Sequence, residues 1–125
     1  MTVTQPLAIV FHERLMPGSQ LVNRLQDLNY RVLAADSTET LATSVKLETP
    51  LLVFVDLKAP GDLLGIIAQI KADATTTHVP IIAFAPDTEL PLTEAAKNSG
   101  ANLAVADSAV ANHLPQLIDQ ALLVE

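Results

Sequence analysis

The sequence predicts a doubly wound α/β fold, a (βα)5 chain whose five strands form one parallel sheet with helices on both faces. Three observations lead there. Five short apolar runs alternate with longer segments of helical periodicity. The third and fourth runs are apolar almost without interruption, as expected of strands covered on both faces. The connecting segments, once turned into helices, supply the crossovers that parallel strands require.

The runs Leu7–Phe11, Tyr30–Ala35, Leu51–Val55, Pro80–Phe84 and Asn102–Ala106 read as strands. The first helix is expected over Pro17–Leu28, with Leu21, Val22, Leu25 and Leu28 on one face and Pro17 tolerated in the first turn. Ser37–Leu47 opens on capping residues and offers Leu41, Val45 and Leu47. Asp62–Ala72 presents Leu63, Ile66, Ile67 and Ile70. Leu92–Ser99 is short and stops at Gly100. In the last segment Leu114, Leu117, Ile118, Ala121 and Leu122 form a stripe, but Pro115 forbids a regular helix running through from Asp107. Its regular start is placed near His113–Pro115, after a looser turn. Ala74–His78 reads as a plain loop.

Composition narrows the function classes. With 125 residues the chain reads as one domain over 1–125, with no segment left for an output domain. There are no cysteines, which excludes disulfides, a thiolate nucleophile and cysteine-ligated metals. Fourteen acids against seven Lys and Arg give a net charge of −7, and the basic residues do not cluster, so a nucleic-acid surface is not expected. No apolar stretch is long enough to span a bilayer and the N-terminus lacks a signal-peptide pattern. A cytoplasmic protein without membrane contact is the expectation.

Sites in open parallel sheets lie beyond the carboxyl ends of the strands. Those ends carry His12 and Glu13, Asp56, Ala85 and Pro86, and Asp107 and Ser108, with Asp36 further from the centre. Glu13, Asp56 and Asp107 with His12 would form an acidic edge, and carboxylates that share a pocket need a cation or proton between them. Lys58 and Arg14 are near in sequence. Other ligands of this architecture fit poorly. The loop after the first strand lacks the phosphate-binding hydroxyls and glycines of a flavodoxin, and aromatics are only 3%. The glycines at 18, 61, 65 and 100 make no dinucleotide fingerprint. A haloacid-dehalogenase-like phosphatase wants a second acid two residues beyond the first, where this chain has Lys58.

Four segments in order, LNYRVLAADSTETL, PLLVFVDLKAPGDLLGIIAQIKA, THVPIIAFA and AAKNSGAN, resemble the receiver domain of bacterial response regulators, a flavodoxin-like fold. The resemblance spans essentially the whole chain. It implies a two-component signalling role in which Asp56 holds the phosphoacceptor position and Pro60 the usual proline beyond it. It also implies a Mg²⁺ site made by acids after the first strand, by Asp56 and by the carbonyl of Lys58. That acid pair falls on Phe11–His12 or on His12–Glu13, depending on a one-residue shift, so at most one acid, Glu13, is available. The position of the switch hydroxyl falls on Ala85 and that of the lysine on Asp107, a charge reversal, with Ser108 where proline is usual. These departures imply a pseudo-receiver that acts by protein contact and is not an enzyme, with no certain cofactor.

The implied partners are a histidine kinase or a downstream effector. Self-association is expected through the helix 4–strand 5–helix 5 face, built from Ala95, Ala96, Asn98, Ala104, Ala106 and the solvent side of 109–123. A phosphoacceptor receiver with an altered pocket is the alternative. A metal-dependent hydrolase using the acid cluster is a distant third, since no nucleophile–base pair is discernible.

Overall fold

The computed structural model describes residues 6–12, 15–59 and 61–123. Its elements are β1 (Leu7–Phe11), α1 (Leu15–Asp27), β2 (Arg31–Ala35), α2 (Thr38–Glu48), β3 (Leu52–Asp56) and α3 (Leu63–Ala72), followed by β4 (Ile81–Ala85), α4 (Leu90–Ser99), β5 (Leu103–Ala106), α5 (Asp107–Asn112) and α6 (Leu114–Leu123). All strand pairs are parallel, in the order β2-β1-β3-β4-β5. The expected five-stranded sheet is therefore present.

Strand periodicity sorts the side chains into two cores. Ile9, Phe11, Val53, Val55, Ile81 and Ala83 pack with Leu41 and Val45 of α2, Ile67 of α3 and Ala96 of α4. The alternate residues Ala8, Val10, Leu52, Phe54, Ile82 and Phe84 pack with Leu21 and Leu25 of α1, Val110 of α5 and Ile118 of α6. Helices thus cover both faces, and β1, β3 and β4 are buried along their whole length. The edge strands β2 and β5 are more exposed.

Several boundaries shift by one or two residues for identifiable reasons. Pro80 has no N–H for the ladder, although its carbonyl accepts from Val53 N–H at 3.0 Å. The Tyr30 N–H closes the end of α1 on the Leu25 carbonyl at 3.0 Å. Helix α1 begins at Leu15, two residues before the expected start. Helix α4 begins at Leu90, with Pro91 in its first turn, where a missing N–H costs nothing. Ser37 caps α2 by accepting from Thr40 N–H at 3.0 Å, and Asp62 caps α3 by accepting from Gly65 N–H at 3.0 Å.

The expected looser turn before the last helix is itself helical. It is α5, six residues long, and His113 separates it from α6. The Leu117 N–H donates to the His113 carbonyl at 3.0 Å, so Pro115 sits in the first turn of α6.

Ala74–His78 is more than a plain connector. Thr76 is buried and donates from its hydroxyl to the Ile70 carbonyl at 2.7 Å. Asp73 accepts from Thr75 N–H at 2.8 Å and from its hydroxyl at 2.7 Å, an Asx-type turn. These bonds, with Lys46 at 3.5 Å, hold the Asp73 carboxyl below its ordinary value of 3.8. A carboxyl with a depressed folded-state pKa contributes stability above its unfolded value and loses it as pH falls through the folded one. Thr75→Ala is therefore expected to move the Asp73 titration up toward 3.8, read by NMR of the carboxyl. An unmoved titration would assign the shift to the backbone N–H of residue 75 and to Lys46.

Candidate functional site

Asp56 ends β3 and lies in the ladder, level with Phe84 of β4. It is 0% exposed. A buried carboxylate needs donors, and Oδ1 accepts from the Lys58 N–H at 2.9 Å. The Ala59 N–H donates to the Asp56 carbonyl at 3.0 Å, closing the turn that follows the strand.

The turn then reaches Gly61, whose φ is +110°, a value that L side chains rarely adopt. A Cβ there would stand 2.8 Å from Thr38 Cγ2 at the start of α2. Gly61→Ala is expected to cost about 1–3 kcal/mol through strain and that contact, seen as a lower urea midpoint. An unchanged midpoint would mean that the turn relaxes freely.

The sheet order sets the backbone spacing between two of the acids at this edge. Asp107 follows β5, and β4 lies between β5 and β3. Two strand spacings put their backbones about 10 Å apart. Among the described residues no group of three or more His, Asp or Glu side chains could hold a metal ion. Glu13, Arg14 and Pro60 lie outside the described residues. Of the groups that the resemblance assigns to Mg²⁺, the described residues include Asp56 and Lys58.

The register Phe11↔Val55 puts His12 beside Asp56 at the sheet edge, half-buried. Ala85 ends β4, fully buried, level with Ala106. Its methyl group has nothing to donate. The Lys58 ammonium engages Glu89 of the β4–α4 loop, with Nζ–Oε2 at 3.8 Å and both side chains about 40% exposed. Such a pair contributes about 1 kcal/mol at most.

Sequence reasoning missed Asp87, in the same loop as Glu89. Its Oδ2 accepts from the Ser108 hydroxyl at 2.7 Å and its Oδ1 from the Ser108 N–H at 3.3 Å. An acid two residues beyond a strand end was the available signal. The proposed contact face also changes: Ala96 and Ala104 are buried in the core, so Ala95, Asn98 and Ala106 remain toward solvent.

No protein-family model and no curated protein matches this chain. Solved structures do. The receiver domain of sensor histidine kinase PA1611 from Pseudomonas aeruginosa PAO1 superposes with a TM-score of 0.85 at 17% identity, covering 97% of this chain and 100% of that one. The chain has the receiver fold. The receiver domain of NtrX from Brucella abortus agrees at a TM-score of 0.81, 17% identity and coverage of 94% and 99%. The signal receiver domain of a modulated diguanylate cyclase from Desulfovibrio desulfuricans G20 agrees at 0.77, with 21% identity and coverage of 95% and 94%. The PA1611 domain holds a magnesium ion in its active-site cleft. The receiver fold therefore stands on topology as well as on the resemblance of four sequence segments.

Proposed function

We propose that this chain is a receiver-type signalling module of two-component systems that acts by protein–protein contact, without phosphorylation of Asp56. The observation that carries the reading is the surroundings of Asp56. The carboxylate is fully buried and hydrogen-bonded to the Lys58 N–H. The next two strand ends along the sheet, those of β4 and β5, offer Ala85 and Asp107, a methyl group and an acid.

A phosphoryl dianion beside carboxylates needs positive charge to balance it, and Asp107 supplies the opposite. Lys58 is turned toward Glu89. The partners in this reading are a histidine kinase or downstream effector, or a second copy docking on the α4–β5–α5 face. The module is not an enzyme, and its place is the cytoplasm. Among the described residues no helix is long and apolar enough to cross a membrane.

The test is the amide NMR spectrum of the protein with and without Mg²⁺ and a small acyl phosphate. Overlaying spectra support a contact module. Shifts spreading from Asp56 through α4 and β5 overturn it.

One observation favours a second reading, a phosphoacceptor with an altered pocket. The PA1611 receiver, alike in fold, holds magnesium in its cleft. In that case Glu13 would join Asp56 at the metal, with His12 beside them.

A further inference from the structure

Helix α5 is short of everything that makes a helix stable by itself. It has six residues, Asp107–Asn112, where isolated helices of fewer than about 12 residues are marginal. Its sequence DSAVAN is rich in weak helix formers. Only Val110 is fully buried.

Its ends are equally deficient. The N-cap residue is Ala106, which has no side-chain acceptor for the orphan N–H groups of the first turn. At the other end, an unbroken helix would have residue 115 donate to the Ala111 carbonyl, and Pro115 has no N–H to give.

Both deficits are filled by side chains from elsewhere in the chain. Asp87 of the β4–α4 loop takes the Ser108 N–H and hydroxyl, performing the cap that Ala106 cannot. Arg24 of α1 donates from Nη2 to the Ala111 carbonyl at 3.1 Å, making the bond that Pro115 deletes. The two donors of stability are 63 residues apart in sequence (87 − 24), and α5 is where they meet.

We propose that α5 is a marginal helix, held at its two ends by Asp87 and Arg24, and that it thereby couples the β4–α4 loop to α1. Any movement of the loop that withdraws Asp87 frees the first turn of α5 and loosens the Arg24 anchor. The same loop carries Glu89, which is paired with Lys58 two residues beyond Asp56. Events at the carboxyl edge of the sheet thus have a route to the opposite face through a helix poised to melt.

Hydrogen exchange on the intact chain tests this, and does so whether or not Asp56 is ever phosphorylated. Asp87→Ala is expected to speed exchange of the amides of residues 111–113 by roughly fivefold, as for the loss of one cap. The β1 and β3 amides should keep their rates. Arg24→Leu, which keeps an apolar stem, should speed the same amides from the other end. Ser108→Ala, a milder change, should do so less. Unchanged protection in residues 111–113 overturns the proposal. So does a uniform rise that includes β1 and β3, because the loss would then be global unfolding rather than a local opening.

Discussion

Phe84→Ala is expected to lower the free energy of unfolding by about 3–5 kcal/mol, a large share of the roughly 5–15 kcal/mol available to a domain of this size. Phe84 is 0% exposed and belongs to the core formed with Phe54, Leu21 and Ile118. It lies in β4, between the site strand and the edge strand, and aromatics are scarce at 3% of the chain. Truncation would leave a cavity walled by the neighbouring strands and by the helices on that face, α5 among them, which the sheet cannot close by shifting. Urea unfolding followed by circular dichroism reads the loss. Leu47→Ala serves as the control, since Leu47 is 74% exposed and should change stability by no more than about 0.5 kcal/mol. A Phe84→Ala loss below about 1 kcal/mol would mean that this core is loosely packed.

Ala85→Ser combined with Asp107→Lys is expected to make Asp56 accept a phosphoryl group. Serine adds one hydroxyl at a fully buried strand end, a smaller intrusion than threonine. Lysine at 107 changes the local charge by two units. Its flexible four-carbon stem lets an ammonium reach across β4. Removing one preorganised charge stabiliser from an enzyme commonly costs on the order of a hundredfold, so restoring this one should raise the rate of acyl-phosphate formation by a similar factor. Intact mass after incubation with Mg²⁺ and a small acyl phosphate measures it. A folded double variant that gains no adduct would show that residues 85 and 107 do not decide whether Asp56 is phosphorylated.

The fold was legible because burial on both faces writes itself as uninterrupted apolar runs. Leu52–Val55 and Ile81–Ala85 carry that signature, and the residues expected to face inward from α2 and α3 do so, except Leu47. Leu47 fails because it stands about 200° round the helix from the buried Val45, on the face turned away from the sheet. Alanine is where apolar patterning runs out: Ala96 and Ala104 are core, while Ala95 and Ala106 are only half-buried, and nothing in a methyl group distinguishes them.

The site was legible only in part. Asp56 stands at the strand end where the sequence placed it, because a carboxylate after an apolar run has few other places to go. The spacing of the acids was not legible, since strand order, and not sequence order, sets the two-strand gap between Asp56 and Asp107. Long-range caps leave no local trace either. Pro115 announces a break in the helix, but nothing near it points to Arg24, 91 residues earlier (115 − 24).

The proposal stands or falls on Asp56 being a structural carboxylate that takes no phosphoryl group. Intact mass spectrometry of the wild-type protein, incubated with Mg²⁺ and a small acyl phosphate, tests it most directly. The expected result is a single species at the unmodified mass, identical to Asp56→Asn treated in the same way. A species heavier by one phosphoryl group, present in wild type and lost in Asp56→Asn, would contradict it.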